Sequence, residues 1–81
     1  MKLFYTSEGT LHSIHDELPR PDNYVRTDLA AVGSIQIDDI PDNEWLIAQL
    51  RTAQTVMHEW SKYRIKDGVL TYEGASVKIA K

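Results

Sequence analysis

Asp67-Gly68 stands between two four-residue runs, Tyr63-Arg64-Ile65-Lys66 and Val69-Leu70-Thr71-Tyr72. An Asp-Gly pair accepts positive φ at both central positions of a type I′ turn, whose twist matches that of the strands it joins. A loop of two residues also sets the register. Lys66 faces Val69, Ile65 faces Leu70, Arg64 faces Thr71 and Tyr63 faces Tyr72. In that register Tyr63, Ile65, Leu70 and Tyr72 share one face. Turn chemistry and apolar alternation agree, so residues 63–72 read as a β-hairpin with one buried side.

The N-terminus reads as a second hairpin, over residues 1–15. Lys2-Leu3-Phe4-Tyr5-Thr6 is rich in strand formers, Ser7-Glu8-Gly9-Thr10 is turn chemistry, and Leu11-His12-Ser13-Ile14-His15 returns. An extended loop follows over residues 16–24, where Pro19 and Pro21 each push the preceding residue out of the helical region. Tyr24 to Leu29 can form a short strand. Ser34 to Asp38 alternates, with Ile35 and Ile37 on one face, and Gly33 separates these two stretches. After the closing hairpin, Glu73-Gly74-Ala75-Ser76 breaks the strand, and Val77 and Ile79 make a short last strand that can pair with this hairpin or with another chain.

Between the hairpins the spacing predicts one long amphipathic helix, residues 42–63. Pro41 suits a first turn, Asp42 suits the N-cap, and Glu44 and Lys62 complement the two ends of the dipole. On a 100° wheel Trp45, Leu46, Leu50, Ala53, Val56, Met57, Trp60 and Tyr63 fall in one sector, with Gln49 intruding and Ile47 outside. Leu46, Leu50, Ala53, Met57 and Trp60 are spaced 4, 3, 4 and 3, a short heptad seam. The stripe can cover a sheet of the same chain, or it can be shared with a neighbour.

The expected architecture is therefore a single α+β domain, residues 1–81, with a small antiparallel sheet of two hairpins plus short strands packed on one long helix. A chain of 81 residues has a thin core, and without cysteine it has no disulfide or thiolate metal site to reinforce it. Protein partners or self-association are the expected support. Nine Lys and Arg against twelve Asp and Glu argue against a nucleic-acid binder, which needs a basic face. Nothing approaches a membrane span or a signal peptide, so the expected location is the cytoplasm where the chain is made.

No arrangement carries a specific chemistry. His12, His15 and Asp16 suggest a metal, but on a strand His12 and His15 point to opposite faces. His58-Glu59 lacks the second histidine of a zincin helix. Asp38, Asp39, Asp42 and Glu44 lack the alternating ligands and central glycine of a calcium loop, and capping accounts for them better. The glycines are dispersed, so no phosphate loop exists, and serines occur without a nucleophile motif. The expectation is a non-enzyme with no cofactor and no metal. The residues assigned to burial or to a partner interface are Trp45, Leu46, Leu50, Met57, Trp60, Tyr63 and Tyr72.

Met-Lys-Leu-Phe-Tyr-Thr-Ser-Glu-Gly-Thr-Leu at the start resembles the opening hairpin of many small tailed-bacteriophage proteins. Tyr-Arg-Ile-Lys-Asp-Gly-Val-Leu-Thr-Tyr after the helix resembles closing hairpins of phage tail-fibre-associated and other virion accessory proteins. The two segments cover about a quarter of the chain, and their motifs are those of hairpins in general. The resemblance implies a structural or accessory virion component that decorates a capsid or attaches a fibre or tail part, found in the virion as well as the cytoplasm. It transfers no site residue. The competing expectation is a small inhibitor that binds a host or defence enzyme. Stoichiometry separates them, since a virion protein copurifies with particles in symmetric copy number and an inhibitor does not.

Overall fold

The computed structural model describes residues 1–16 and 24–81; the expected proline-bearing loop lies largely outside them. The described residues form six strands and one α-helix: β1 (Lys2–Thr6), β2 (Leu11–His15), β3 (Ala31–Gln36), α1 (Glu44–Ala53), β4 (Tyr63–Lys66), β5 (Val69–Tyr72) and β6 (Ala75–Ser76). They make an α+β fold with two three-stranded antiparallel sheets, ordered β2-β1-β3 and β4-β5-β6, where one sheet was expected.

Both hairpins form. β4 and β5 pair Tyr63 with Tyr72, Arg64 with Thr71, Ile65 with Leu70 and Lys66 with Val69, as the two-residue turn requires. The strand breaks at Glu73, as expected, but the last strand forms at Ala75–Ser76 rather than at Val77 and Ile79. Glu73 and Gly74 take φ of 51° and 86°, close to the 53° and 78° of Asp67 and Gly68, so a second two-residue turn folds β6 back on β5. The Val77 N–H then bonds the Leu70 carbonyl at 2.9 Å and carries the pairing one step beyond β6. Gly33 is not a boundary but part of a strand that begins at Ala31. It lies inside β3 opposite Tyr5, and a Cβ there would stand 2.4 Å from the Tyr5 hydroxyl, so the ring covers the bare backbone. Of the Tyr24–Leu29 stretch, only Val25 makes a bridge, to Ser13.

The sheets stay separate because the first hairpin meets β4 through its turn. The Ile65 N–H donates to the Gly9 carbonyl at 2.9 Å. Gly9 has φ +83°, and a Cβ on it would fall 2.6 Å from the Ile65 carbonyl oxygen. Only glycine meets both conditions.

The long helix expected over residues 42–63 does not form. A 3-10 turn, Pro41–Asn43, leads into the ten residues of α1, and a separate 3-10 segment runs over Met57–Lys62. At the end of α1 the last carbonyls take donors from outside an α-helical ladder, and Ala53 O also accepts the Val56 N–H at 3.4 Å. The Trp60 indole N–H donates to Ala53 O at 2.5 Å, and the Tyr24 N–H donates to Gln54 O at 2.9 Å. Gln54 is drawn inside, where its Nε2 donates to the Ile14 carbonyl at 3.2 Å. Thr52, Thr55 and Val56 add β-branched residues where the helix stops. With the helix shortened, the apolar stripe turns. Leu46, Ile47, Leu50 and Ala53 are the buried face, while Trp45 is 56% exposed. Val56, Met57, Trp60 and Tyr63 lie beyond α1, so neither the wide sector nor the heptad seam exists on it.

The helix start differs as well. Asp42 is exposed in the 3-10 turn, and Asn43 takes the N-cap position without capping. The Asn43 side chain is buried, and its amide grips the C-terminal segment in both directions. Nδ2 donates to Ala80 O at 2.9 Å and to Asp38 O at 2.8 Å, and Oδ1 accepts from Ala80 N at 2.9 Å. Arg51 on α1 donates to the nearly buried carboxylate of Asp16 at 2.7 Å. The core then fills from both sheets and the helix: Leu3, Leu11 and Ile14 from β1 and β2, Tyr63, Ile65 and Leu70 from β4 and β5, the α1 face, and Ile37 and Trp60.

Two substitutions test these joints. Asn43→Ala removes three bonds and leaves backbone groups unpaired, so it should lower the unfolding free energy by about 2–4 kcal/mol in a denaturant titration, with loss of exchange protection at the Ala80 amide. Gly9→Ala adds both the positive-φ penalty and the clash with Ile65, for a loss of about 1–3 kcal/mol by the same titration.

Candidate functional site

The seven residues expected at an interface separate into core and surface. Leu46, Leu50, Trp60 and Tyr63 are buried. Met57 is exposed in a groove of about 310 Å³ that Arg26, Ser61 and Arg64 also line. Trp45 and Tyr72 come together at the surface. Trp45 is the second residue of α1, on the side turned away from the core. Tyr72 ends β5, opposite Tyr63 in the hairpin register.

The three rings form a column from solvent to core. Trp45 meets Tyr72 edge to face, with centroids 5.9 Å apart and planes at 85°. Tyr72 meets Tyr63 at 5.0 Å and 55°. The first is the edge-to-face geometry that aromatic quadrupoles favour, and the second is a tilted contact. The buried Tyr63 therefore holds Tyr72, and Tyr72 props the indole. Beside them a shallow groove of about 320 Å³ is lined by Trp45, Tyr72, Ala75, Ser76, Val77 and Lys78. The apolar floor continues into Val77, which packs against the core. Val77 and Ala75 were absent from the expected interface because 73–76 read as a break. The Glu-Gly pair at 73–74 was the signal for a turn, and it would have brought them beside Tyr72.

Burial pushes the Tyr63 phenol from 10.0 up to about 12, reinforced by nearby Tyr72 and Glu59. Tyr72 is raised too, first by burial and then by its hydrogen bond with Glu73. Both phenols are neutral at physiological pH. The platform is a neutral pair of rings with Lys78 and the Glu73 carboxylate at its rim, suited to burying an apolar or aromatic group of another molecule.

The histidines stand elsewhere. Phe4 pairs with Ser13 and Tyr5 with Leu11, so His12 is a bulge residue. His12 Nδ1 and His15 Nε2 lie 3.0 and 3.1 Å from the Ser13 hydroxyl, whereas plain alternation set the two rings apart. Among the described residues, no group of three or more His, Cys, Asp or Glu side chains is placed to hold a metal ion. Among them too, no helix is long and apolar enough to cross a membrane. In comparisons with known proteins, no family model, curated protein or solved structure matches the chain.

The Tyr63 environment has a pH signature. Above pH 10 the unfolded phenol loses its proton first, while the folded one keeps it to about 12. Its contribution is whole below pH 10 and is lost as pH rises towards 12. Thermal unfolding midpoints should fall across that window, and Tyr63→Phe should make the fall shallower.

Proposed function

We propose that this chain is a non-catalytic interaction protein, a structural or accessory component of a phage particle, and that Trp45 and Tyr72 are where it meets its neighbour. The observation that carries the interaction role is the exposure of Trp45. An indole on a first helical turn, 56% exposed and propped edge-on by Tyr72, contributes little to its own core and offers a large apolar surface to another. Tryptophan and tyrosine dominate the binding energy of protein interfaces when they sit in such a patch. The chain's thin core is consistent with a protein that works within an assembly. The virion setting, as capsid decoration or fibre or tail attachment, is supported by the resemblance of residues 1–11 and 63–72 to phage accessory hairpins.

The test combines stability with incorporation. Trp45→Ala should change the unfolding free energy by less than about 1 kcal/mol, because the side chain is mostly outside the core. The same substitution should reduce the amount of protein that copurifies with particles by at least about tenfold, the loss of one aromatic hot spot. Absence of the unmodified protein from purified particles removes the virion assignment. Undiminished incorporation of Trp45→Ala removes the platform from the interface.

A further inference from the structure

The order β2-β1-β3 leaves two strand edges in the first sheet. The β2 edge is covered. Arg26 N–H donates to His12 O at 2.8 Å, and Gln54 Nε2 donates to Ile14 O at 3.2 Å. In the second sheet, the β4 edge carries the Ile65–Gly9 bond. The β3 edge differs from both. Ile37 N–H donates to Met1 O at 2.8 Å and Met1 N donates to Ile37 O at 3.0 Å, which sets the phase of the β1–β3 ladder. Alternate pairs exchange bonds, so Ile35 and Gly33 turn their backbone groups towards Leu3 and Tyr5. The residues between, Ser34 and Gln36, turn theirs outwards. No described residue bonds these N–H and C=O groups.

Natural edges are usually protected by charge, proline or a bulge. A bulge at Val32 limits the open run at one end, since Tyr5 pairs with Gly33 and Thr6 with Ala31. Ser34-Ile35-Gln36 itself has no charge and no proline. Beside it lies a groove of about 490 Å³ lined by Ile35, Val69, Val77 and Ile79 among others.

We propose that this edge pairs with the same edge of a second copy of the chain, antiparallel, about a twofold axis through Ile35. Ser34 of one copy then faces Gln36 of the other, twice, and the free donors and acceptors of both residues are matched. The two Ile35 residues meet as a non-hydrogen-bonded pair, in which opposed side chains come closest, on the face that looks into the groove. Both sheets keep their core faces on the same side, because the axis pairs residues of like parity. No two like charges are brought opposite each other along the paired run. The paired edge is centred on β3 and shares with the Trp45 platform only Val77, which lines both grooves.

The experiment is sedimentation equilibrium of the full chain from ~1 µM to ~1 mM, a range that covers weak specific dimers, with amide exchange followed by NMR across the same series. A reversible dimer is expected, in which the Ser34 and Gln36 amides gain protection as it forms. Ser34→Pro removes an outward N–H without touching the β1 ladder, and should weaken the dimer at least about tenfold with the fold intact by circular dichroism. If Ser34→Pro does not fold, the exchange data on the unmodified chain decide. A monomer throughout the range overturns the proposal. So does a dimer in which the Ser34 and Gln36 amides exchange freely, or one that Ser34→Pro leaves unchanged. Trp45→Ala should leave this dimer intact, so failure here and failure of the platform are told apart.

Discussion

The carbonyls of Ala53 and Gln54 decide the shape of this protein. In a continuing helix they would accept the amides four residues ahead. Here the Trp60 indole holds the first and the Tyr24 amide holds the second. The helix stops, the chain bends, and Met57–Lys62 tightens into 3-10 turns that deliver Tyr63 to the start of the closing hairpin. Trp60 becomes a core residue that also caps a helix end, which gives the indole a donor's partner and an apolar surrounding at once. With the helix ten residues long, its buried face shrinks to Leu46, Ile47, Leu50 and Ala53, and Trp45 is left outside.

A core this thin is joined by polar side chains as well as by apolar packing. Asn43 ties the helix start to Ala80 and Asp38. Gln54 ties the helix end to β2 through Ile14. Thr6 and Thr10 share a 2.7 Å hydrogen bond across the first turn, which is the turn that reaches β4. Each buried bond fixes a distance and a direction, which apolar contact alone does not. The joint at Gln54 is incomplete, because its Oε1 is buried with no partner among the described residues. That oxygen carries a desolvation cost which the Ile14 bond on Nε2 offsets in part.

The surface features follow from the same economy of elements. Two three-stranded sheets and one short helix cannot cover every edge and every aromatic ring. Trp45 leans on Tyr72 at one place, and the neutral end of β3 stays open at another. Both present groups that are satisfied by burial against protein: an indole face in one case, unpaired backbone in the other. The interaction role rests on the first surface and the paired edge on the second, and Val77 lies where the two grooves meet.

What was legible in the residues was local. Asp67-Gly68 dictated a hairpin down to its register, because a two-residue turn leaves the strands no freedom to slide. The first hairpin was legible for the same kind of reason, though not the bulge that brings His12 and His15 onto Ser13. Of the candidate site, Trp45, Tyr63 and Tyr72 were identifiable as aromatic, and Tyr63 and Tyr72 as opposed. Which of them faced solvent was not. The length of the helix was set by donors that a periodicity does not represent, the Tyr24 amide from thirty residues upstream and the Trp60 indole from seven residues ahead. The residues beyond Ala53 are not helical, and a 100° periodicity extended over them shifts the apolar face towards Trp45 and away from Ile47. The sequence by itself determined the turns and the strands they join, since those depend on φ preferences and alternation within a few residues. Only the tertiary structure decided where the helix ended, how the chain divided into two sheets and which aromatic ring was left outside, since those depend on which distant groups reach a free carbonyl first.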